Sequence, residues 1–425
     1  MAAWLCGLSS ILYLDRICMA QAVKPIRDEL GLSKSEMGYV LMAFTLAYGV
    51  FAVPAGRWGD KAGPRAVLAI IVLTWSGFTA LTAVAAGLLT LLLVRFLFGA
   101  AEAGAFPNAA KVVSRWYPLP ERGRVQGVML AFAQIGAVVA PAATAYLIDA
   151  AGWRSVFLVY ALIGCAWACG FWLWFRDDPA RHPRVNAAEL AAMRTSEAPP
   201  LADPGPVPWR AVLANRGIVV LCVVMILGAF YTYFFYGWLP TYLMEGRGVS
   251  NQLAGWLGSL VIAGSGVGML VGGWLADRIT RVSGDPIRDR RRLAVVCYIL
   301  AAACLFAGTR CDDPLALAAL WSASAGAMHV TLPNWWSVII PQAGRHTATI
   351  FGLVNGMGCF GALASLGLIP EYADWRERSG VTGRAAWDPI FDVYVCVLLA
   401  NAVAWYLYRF TPLPEPVEMP KESEG

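Results

Sequence analysis

Residues Leu91 to Pro107 read LLLVRFLFGAAEAGAFP, an apolar run of membrane-spanning character that nevertheless holds Arg95 and Glu102. A charge near the middle of a bilayer costs from ~2.5 to above ~10 kcal/mol depending on the scale, so such groups normally face a protein interior and mark an ion or substrate path. Seven residues at roughly 100° each bring the two side chains back to nearly one face, two helical turns apart. The run from Ala2 to Val23 is interrupted in the same way by Asp15 and Arg16. These four residues are read as the working centre, and the rest of the chain must supply a lumen for them.

Composition bounds what that lumen is built from. A chain of 425 residues that is 58% hydrophobic and only 14% charged, with a mean hydropathy of +0.58, is too apolar for a soluble globular protein and reads as polytopic in a membrane. The net charge of +5 does not point to nucleic acid, because the basic residues are scattered among short loops. A cleavable signal peptide is not expected, since the first apolar stretch carries the Asp15–Arg16 pair and runs on into further spans. Nine of the ten cysteines sit inside apolar runs without metal spacing and read as small hydrophobes. No nucleotide, flavin or metal motif is present, so no cofactor is expected, and no nucleophile–base pair beside the charged residues points to an enzyme.

Twelve apolar segments are each long enough to cross ~30 Å of hydrocarbon as a helix. They lie near 2–23, 36–55, 66–86, 88–110, 126–150, 153–175, 216–243, 251–275, 293–309, 314–339, 347–370 and 389–410. With the N-terminus inside, 22 of the 33 Lys and Arg fall on inside loops and 9 on outside ones. That bias is the positive-inside signature and puts both termini in the cytoplasm of a cell (inner) membrane protein. The Pro- and charge-rich stretch between spans six and seven reads as a linker. The expected organisation is therefore a six-helix bundle over 1–175, a cytoplasmic linker over 176–214, a second six-helix bundle over 215–411 and a cytoplasmic tail over 412–425.

The halves look like copies. Gly56-Arg57-Trp58-Gly59-Asp60-Lys61-Ala62-Gly63-Pro64-Arg65 follows span two and Gly273-Trp274-Leu275-Ala276-Asp277-Arg278 follows span eight, with the two aspartates 217 residues apart. Internal repeats of this kind build many transporters.

These two loops resemble the G-x-x-x-D-[RK]-x-G-[RK]-[RK] signature of the major facilitator superfamily, with Pro64 at one basic position. Gly99 to Glu102 and on to Pro107, Trp116-Tyr117-Pro118, Glu121-Arg122-Gly123-Arg124, Tyr13-Leu14-Asp15-Arg16, Trp238-Leu239-Pro240-Thr241-Tyr242 and Gly352 to Asn355 are similar to the anion:cation symporter branch. That branch includes bacterial carriers of galactonate, glucarate and hexuronates, sialin and the vesicular glutamate transporters. The resemblance spans essentially the whole chain and implies an all-α fold of twelve transmembrane helices in two pseudo-symmetric six-helix bundles. Family members usually carry a basic tail ahead of span one, whereas Met1 here lies almost at the membrane, so the expectation is a start that is either truncated or unusual for the family. Gly127, Gly136 and Ala140-Pro141 in span five loosely echo an antiporter motif, against which stands close helix packing through small residues.

Roles follow from side-chain chemistry. Arg16 is the first choice for binding substrate, because a guanidinium stays charged and pairs bidentately with a carboxylate; the alternative is a structural pair with Asp15 or Glu102. Asp15 and Glu102 are the candidates for carrying protons, since burial favours the neutral acid and a nearby guanidinium the anion. Arg95 is expected to tune Glu102. The resemblance implies a substrate-contacting tyrosine at Tyr48. Gln134 and Asn355 hold corresponding positions in the two halves and carry amides suited to hydroxyl or carboxylate oxygens. Tyr231, Tyr233 and Tyr236 cannot share one face, so at most two line the lumen; Tyr231 and Tyr233 are chosen. Trp238 reads as a gate or as part of an interfacial belt, and His329 as a packing residue. Gly56, Asp60, Lys61 and Arg65, with Asp277 and Arg278, form a candidate latch at the cytoplasmic side.

The expectation is a monomeric secondary carrier that moves a small organic anion, a sugar acid, hexuronate or related carboxylate, inward with protons across the lipid bilayer. An anion exchanger, a potential-driven uniporter and, from another class, a transporter-like receptor are the alternatives. The apolar, tryptophan-rich walls also suit an aromatic or short aliphatic carboxylate.

Overall fold

The computed structural model describes residues 1–187, 189–190 and 207–413, leaving aside the side chains of 53, 56–62, 119–120, 280, 336, 345 and 348. All regular structure among the described residues is helical. Span one runs Ala2–Leu30, span two Lys34–Ala62 and span three Pro64–Thr82. The short link between spans one and two is closed at both ends: Gly31 adopts φ +67° as the left-handed cap of span one, and Ser33 forms a capping box with Glu36 at the start of span two. Spans five and six form one continuous helical stretch, Leu119–Trp174, that turns at Gly152 with φ 78° and ψ 165°, a conformation that a side chain would strain. With that turn counted, the described residues hold twelve membrane-spanning helices where the apolar segments lie.

Three spans are broken rather than continuous. Span four divides into Leu88–Glu102 and Ala105–Trp116, span seven into Arg216–Gly237 and Leu239–Glu245, and span ten into Pro314–Val330 and Leu332–Ala343. A proline follows each break, at Pro107, Pro240 and Pro333. Proline has no N–H to donate, and its ring crowds the carbonyl four residues back, so the helix is interrupted there. In a bilayer such interruptions are tolerated where they border a protein interior or a cavity.

The two six-helix bundles share one packing plan. In the first, span five crosses span one so closely that a Cβ at Gly136 would lie 2.2 Å from the Ser10 carbonyl oxygen, and Gly99 of span four sits against the Phe44 carbonyl of span two. In the second, Gly361 of span eleven would place a Cβ 1.9 Å from the Ile226 carbonyl of span seven, and Gly268 of span eight sits against Gly326 of span ten. Pairs one–five and two–four are thus repeated as seven–eleven and eight–ten. Lipid tails are as apolar as leucine, so helices associate in a bilayer largely through close packing of this kind. The halves meet along spans two and eleven and along spans five and eight.

The seam between halves is tight at one end. There Gln21 donates to Asn251 at 2.7 Å, and Asn251 donates to Asp149 at 2.7 Å. Arg27 pairs with Glu245 at 2.6 Å. Lys34, whose side chain is 2% exposed, pairs with Glu377 and lies 3.2 Å from Glu245. Asp374 accepts from the Ser35 N–H at 2.8 Å and its hydroxyl at 2.7 Å. Among the described residues at the opposite end, Arg65 takes its partners from Asp177 and the Trp172 carbonyl of its own half, and Gln342 bonds both Asn215 and Tyr408 within the other.

Candidate substrate and proton site

Spans one, two, four, seven and eleven enclose a cavity of about 80 Å³ between the halves. Tyr13 and Arg16 are three residues apart on span one and therefore share the face that lines it. Phe44 and Thr45 of span two and Arg95 of span four complete the wall on the first half; Tyr233, Tyr236 and Leu366 form the wall on the second. The wall is chemically asymmetric. Both guanidiniums come from the first half, and the second supplies phenols and aliphatic groups.

Arg16 Nε is bonded to Glu102 Oε1, with the Arg16 side chain 17% exposed and that of Glu102 fully buried. The guanidinium also lies over Tyr48, 4.4 Å from the ring centroid, and 5.5 Å from the rings of Tyr13 and Phe44. Such cation–π contacts hold a charge in an apolar site without neutralising it. Arg95 is 2% exposed, with Cζ 4.4 Å from the Phe98 centroid and 5.4 Å from that of Phe44. Asp15, offset by 100° from Arg16, turns into the first bundle. It is 1% exposed, with Arg95, Glu102 and Trp75 as neighbours.

Hydrogen bonding in this cluster is incomplete. Arg16 Nη2, Arg95 Nε and Glu102 Oε2 are buried without a hydrogen-bond partner, and the Trp75 indole is the one neutral donor beside the Asp15 carboxyl among the described residues. A fully structural ion-pair network would be closed, because each orphaned buried polar atom costs about 1–3 kcal/mol. These are two acids and two cations with donors and acceptors left over, next to a space that a small ligand can enter.

The other sequence-derived site residues are distributed unevenly. Tyr48 stacks on Arg16 and Tyr233 lines the cavity. Tyr231 does not: its hydroxyl is 2.7 Å from Ser324 Oγ in the core of the second bundle, and Tyr236 occupies the cavity face in its place. Span seven carries Tyr233 and Tyr236 three residues apart on one face, and Tyr231 falls on another. Gln134 also lies outside this cavity, lining a separate apolar cleft of about 500 Å³ between spans five and eight with Leu130, Val138 and Gly266. Asn355 is exposed, one turn from Cys359, whose Sγ would lie 3.6 Å from a Cβ at Gly49; it faces the gap between spans two and eleven. Trp238 is fully buried and donates to the Leu366 carbonyl at 3.3 Å, which places it inside the seam and away from any lipid-facing belt. His329 Nδ1 lies 2.8 Å from the Ala325 carbonyl in its own helix.

Of the latch residues, the side chains of Gly56, Asp60 and Lys61 lie outside the described residues. Arg65 bonds within the first half, Asp277 is exposed, and Arg278 lies over the Trp274 ring at 5.6 Å. Gly136 and Pro141 of the antiporter-like stretch pack against span one and against Gly255 of span eight. The sequence reading gave Tyr13 and Phe44 no role, although three-residue spacing from Arg16 was available for Tyr13, and it chose Tyr231 over Tyr236. It also missed the network around Lys34, whose charges it counted only as topology.

Comparison with known proteins agrees with this architecture. The family model described as Major Facilitator Superfamily matches residues 5–366. The chain is 32% identical over 368 residues to the probable sulfoacetate transporter of Cupriavidus necator, covering 85% of this chain and 84% of that protein. It is 29% identical to the probable L-galactonate transporter of Escherichia coli K12, over 95% of this chain and 87% of that one. Among solved structures, a bacterial homologue of the human lysosomal transporter Spinster superimposes with a TM-score of 0.78 at 18% identity, covering 96% of both chains.

Proposed function

Because the chain belongs to the major facilitator superfamily, we propose that it imports a small organic anion with protons, by exposing the cavity between its halves alternately to the two sides of the membrane. The membrane is the cell's inner membrane and both termini are cytoplasmic, a reading supported by the excess of Lys and Arg on the corresponding loops. The working units are the bundles 1–175 and 215–411, joined by the linker 176–214 and followed by the tail 412–425, in a monomer. With that orientation the tight seam around Lys34, Glu245 and Asp374 faces outward, so the cavity is closed to the outside. The loops at Asp60 and Asp277 then latch the cytoplasmic side in the opposite state.

The observation that carries this reading is the Arg16–Glu102 pair at the cavity edge, buried yet left with an unpartnered atom on each side. In the outward-open state, protons on Glu102 and Asp15 release Arg16 to hold the carboxylate or sulfonate of the cargo against Tyr48 and Tyr233. On the inner side the protons and the cargo leave, and Arg16 returns to Glu102. That several relatives are transporters of acids, sulfoacetate and L-galactonate among them, supports an organic acid as cargo. Gln134 and Asn355, at the gap between the halves, contact it on the way in or out.

The test is Glu102→Gln in proteoliposomes. Uptake driven by an inward proton gradient is expected to vanish, while exchange of preloaded cargo across the membrane at equal pH persists. Concentrative, gradient-driven uptake by that variant would overturn the assignment.

A further inference from the structure

The reading above uses one guanidinium for the cargo and leaves Arg95 as a modulator. The geometry gives Arg95 more. Arg16 and Arg95 both line the cavity. Their Cζ atoms lie 5.5 Å and 5.4 Å from the centroid of the same ring, Phe44, and are therefore no more than about 11 Å apart. Each retains a buried N–H without a partner, Nη2 on Arg16 and Nε on Arg95. Their counter-ions, Glu102 and Asp15, sit behind them and off the cavity wall.

We propose that Arg16 and Arg95 form a two-cation clamp across Phe44 that selects dianions whose acid groups are separated by no more than about two carbons. The proposal rests on the proton-coupled reading and deepens it by naming the cargo class. A carboxyl or sulfonyl centre bonded to a guanidinium stands roughly 4 Å from Cζ, given N–H···O contacts of ~2.8 Å. The two Cζ atoms reach about 11 Å only with the Phe44 ring directly between them; on the cavity side of that ring they stand closer, so a ligand that bridges them in line has at most about 3 Å between its two acid centres. Volume points the same way. About 80 Å³ is near half the ~150 Å³ of an apolar cavity that takes benzene, so a six-carbon sugar acid needs a several-fold larger space than a two- or three-carbon diacid. The amides suited to a polyol chain, Gln134 and Asn355, do not line this cavity.

Charge balance closes the argument. With Asp15 and Glu102 both ionised, the four groups sum to zero and a dianion would be left uncompensated in a dry site. With both protonated, the wall carries two positive charges and the loaded site is neutral. The other polar groups facing the clamp are the phenols of Tyr13, Tyr48, Tyr160, Tyr233 and Tyr236 and the Cys18 thiol, and among the described residues no further Asp, Glu, Lys or Arg lines the cavity. Two protons thus accompany each dianion, and the cycle carries no net charge.

The experiment compares oxalate, malonate, succinate and glutarate with acetate, lactate, galactonate and glucuronate on the purified full-length protein, by thermal shift and by competition against labelled malonate in proteoliposomes. Oxalate or malonate is expected to bind at least ten-fold more tightly than acetate or galactonate, and affinity to fall from succinate to glutarate. Arg95→Lys should weaken malonate at least ten-fold and lactate less than two-fold. Tightest binding and pH-driven uptake of galactonate or glucuronate, insensitive to Arg95→Lys, would overturn the clamp and leave proton-coupled import standing. Dianion uptake that ignores the pH gradient would instead overturn the preceding reading. The ligand series on the unaltered protein decides the clamp even if the variant fails to fold.

Discussion

Arg16 Nε is bonded to one carboxylate oxygen of Glu102, while Arg16 Nη2 and Glu102 Oε2 remain buried without partners. Removing one member of a buried pair leaves an uncompensated charge and costs about 3–5 kcal/mol, whereas removing both costs far less. Arg16→Gln is therefore expected to lower the melting temperature markedly, and the double variant Arg16→Gln, Glu102→Gln to recover most of it. Substrate-induced stabilisation should be lost in both. Thermal unfolding with and without cargo measures the two effects separately; cargo-induced stabilisation that survives in the double variant would remove Arg16 from the binding site.

Tyr231 and Tyr236 are five residues apart on one helix and meet different surroundings. Tyr236→Phe removes a hydroxyl from the cavity wall and should raise KM several-fold with little change in stability. Tyr231→Phe breaks a buried hydrogen bond to Ser324, which costs about 1 kcal/mol, and should leave KM unchanged. Transport kinetics beside chemical denaturation distinguish them. The reversed pattern would mean that span seven presents a different face to the cavity during transport.

Lys34 holds acids from span seven's end and span eleven together at the seam. Lys34→Gln leaves Glu245, Asp374 and Glu377 facing one another with Arg27 as the remaining cross-seam cation, and should part the halves at that end. Distances between spin labels on Leu32 and Arg378 are expected to gain a longer population in this variant. An unchanged distribution would show that the seam closes without the network.

Much of the fold was legible because hydropathy reports where hydrocarbon must be. It does not report where helices stop. Span one continues from Val23 to Leu30 through Lys24, Arg27 and Asp28, since a helix projecting beyond the bilayer can carry charge. The charged centre was legible for the same reason in reverse: Arg16, Arg95 and Glu102 are conspicuous in apolar runs. Tyr231 was misplaced because span seven is apolar all round, which leaves no polar face to fix its rotational phase. Gln134 and Asn355 were read at matching positions in the repeat, but matching positions do not fix which opening each side chain meets. The Lys34 network was invisible because its partners are more than 200 residues away in the chain, and loop charges carry no record of what they touch.

Every ionic group on the cavity wall is encoded before residue 103, and the opposing wall is phenolic and aliphatic. On the proposed reading, both proton coupling and recognition of the acid group fall to the first bundle, although the two bundles share one packing plan. A chimera that keeps the first bundle and borrows the second from a relative should therefore keep both this chain's drive and its choice of acid, with the borrowed phenolic wall resetting only how tightly that acid is held.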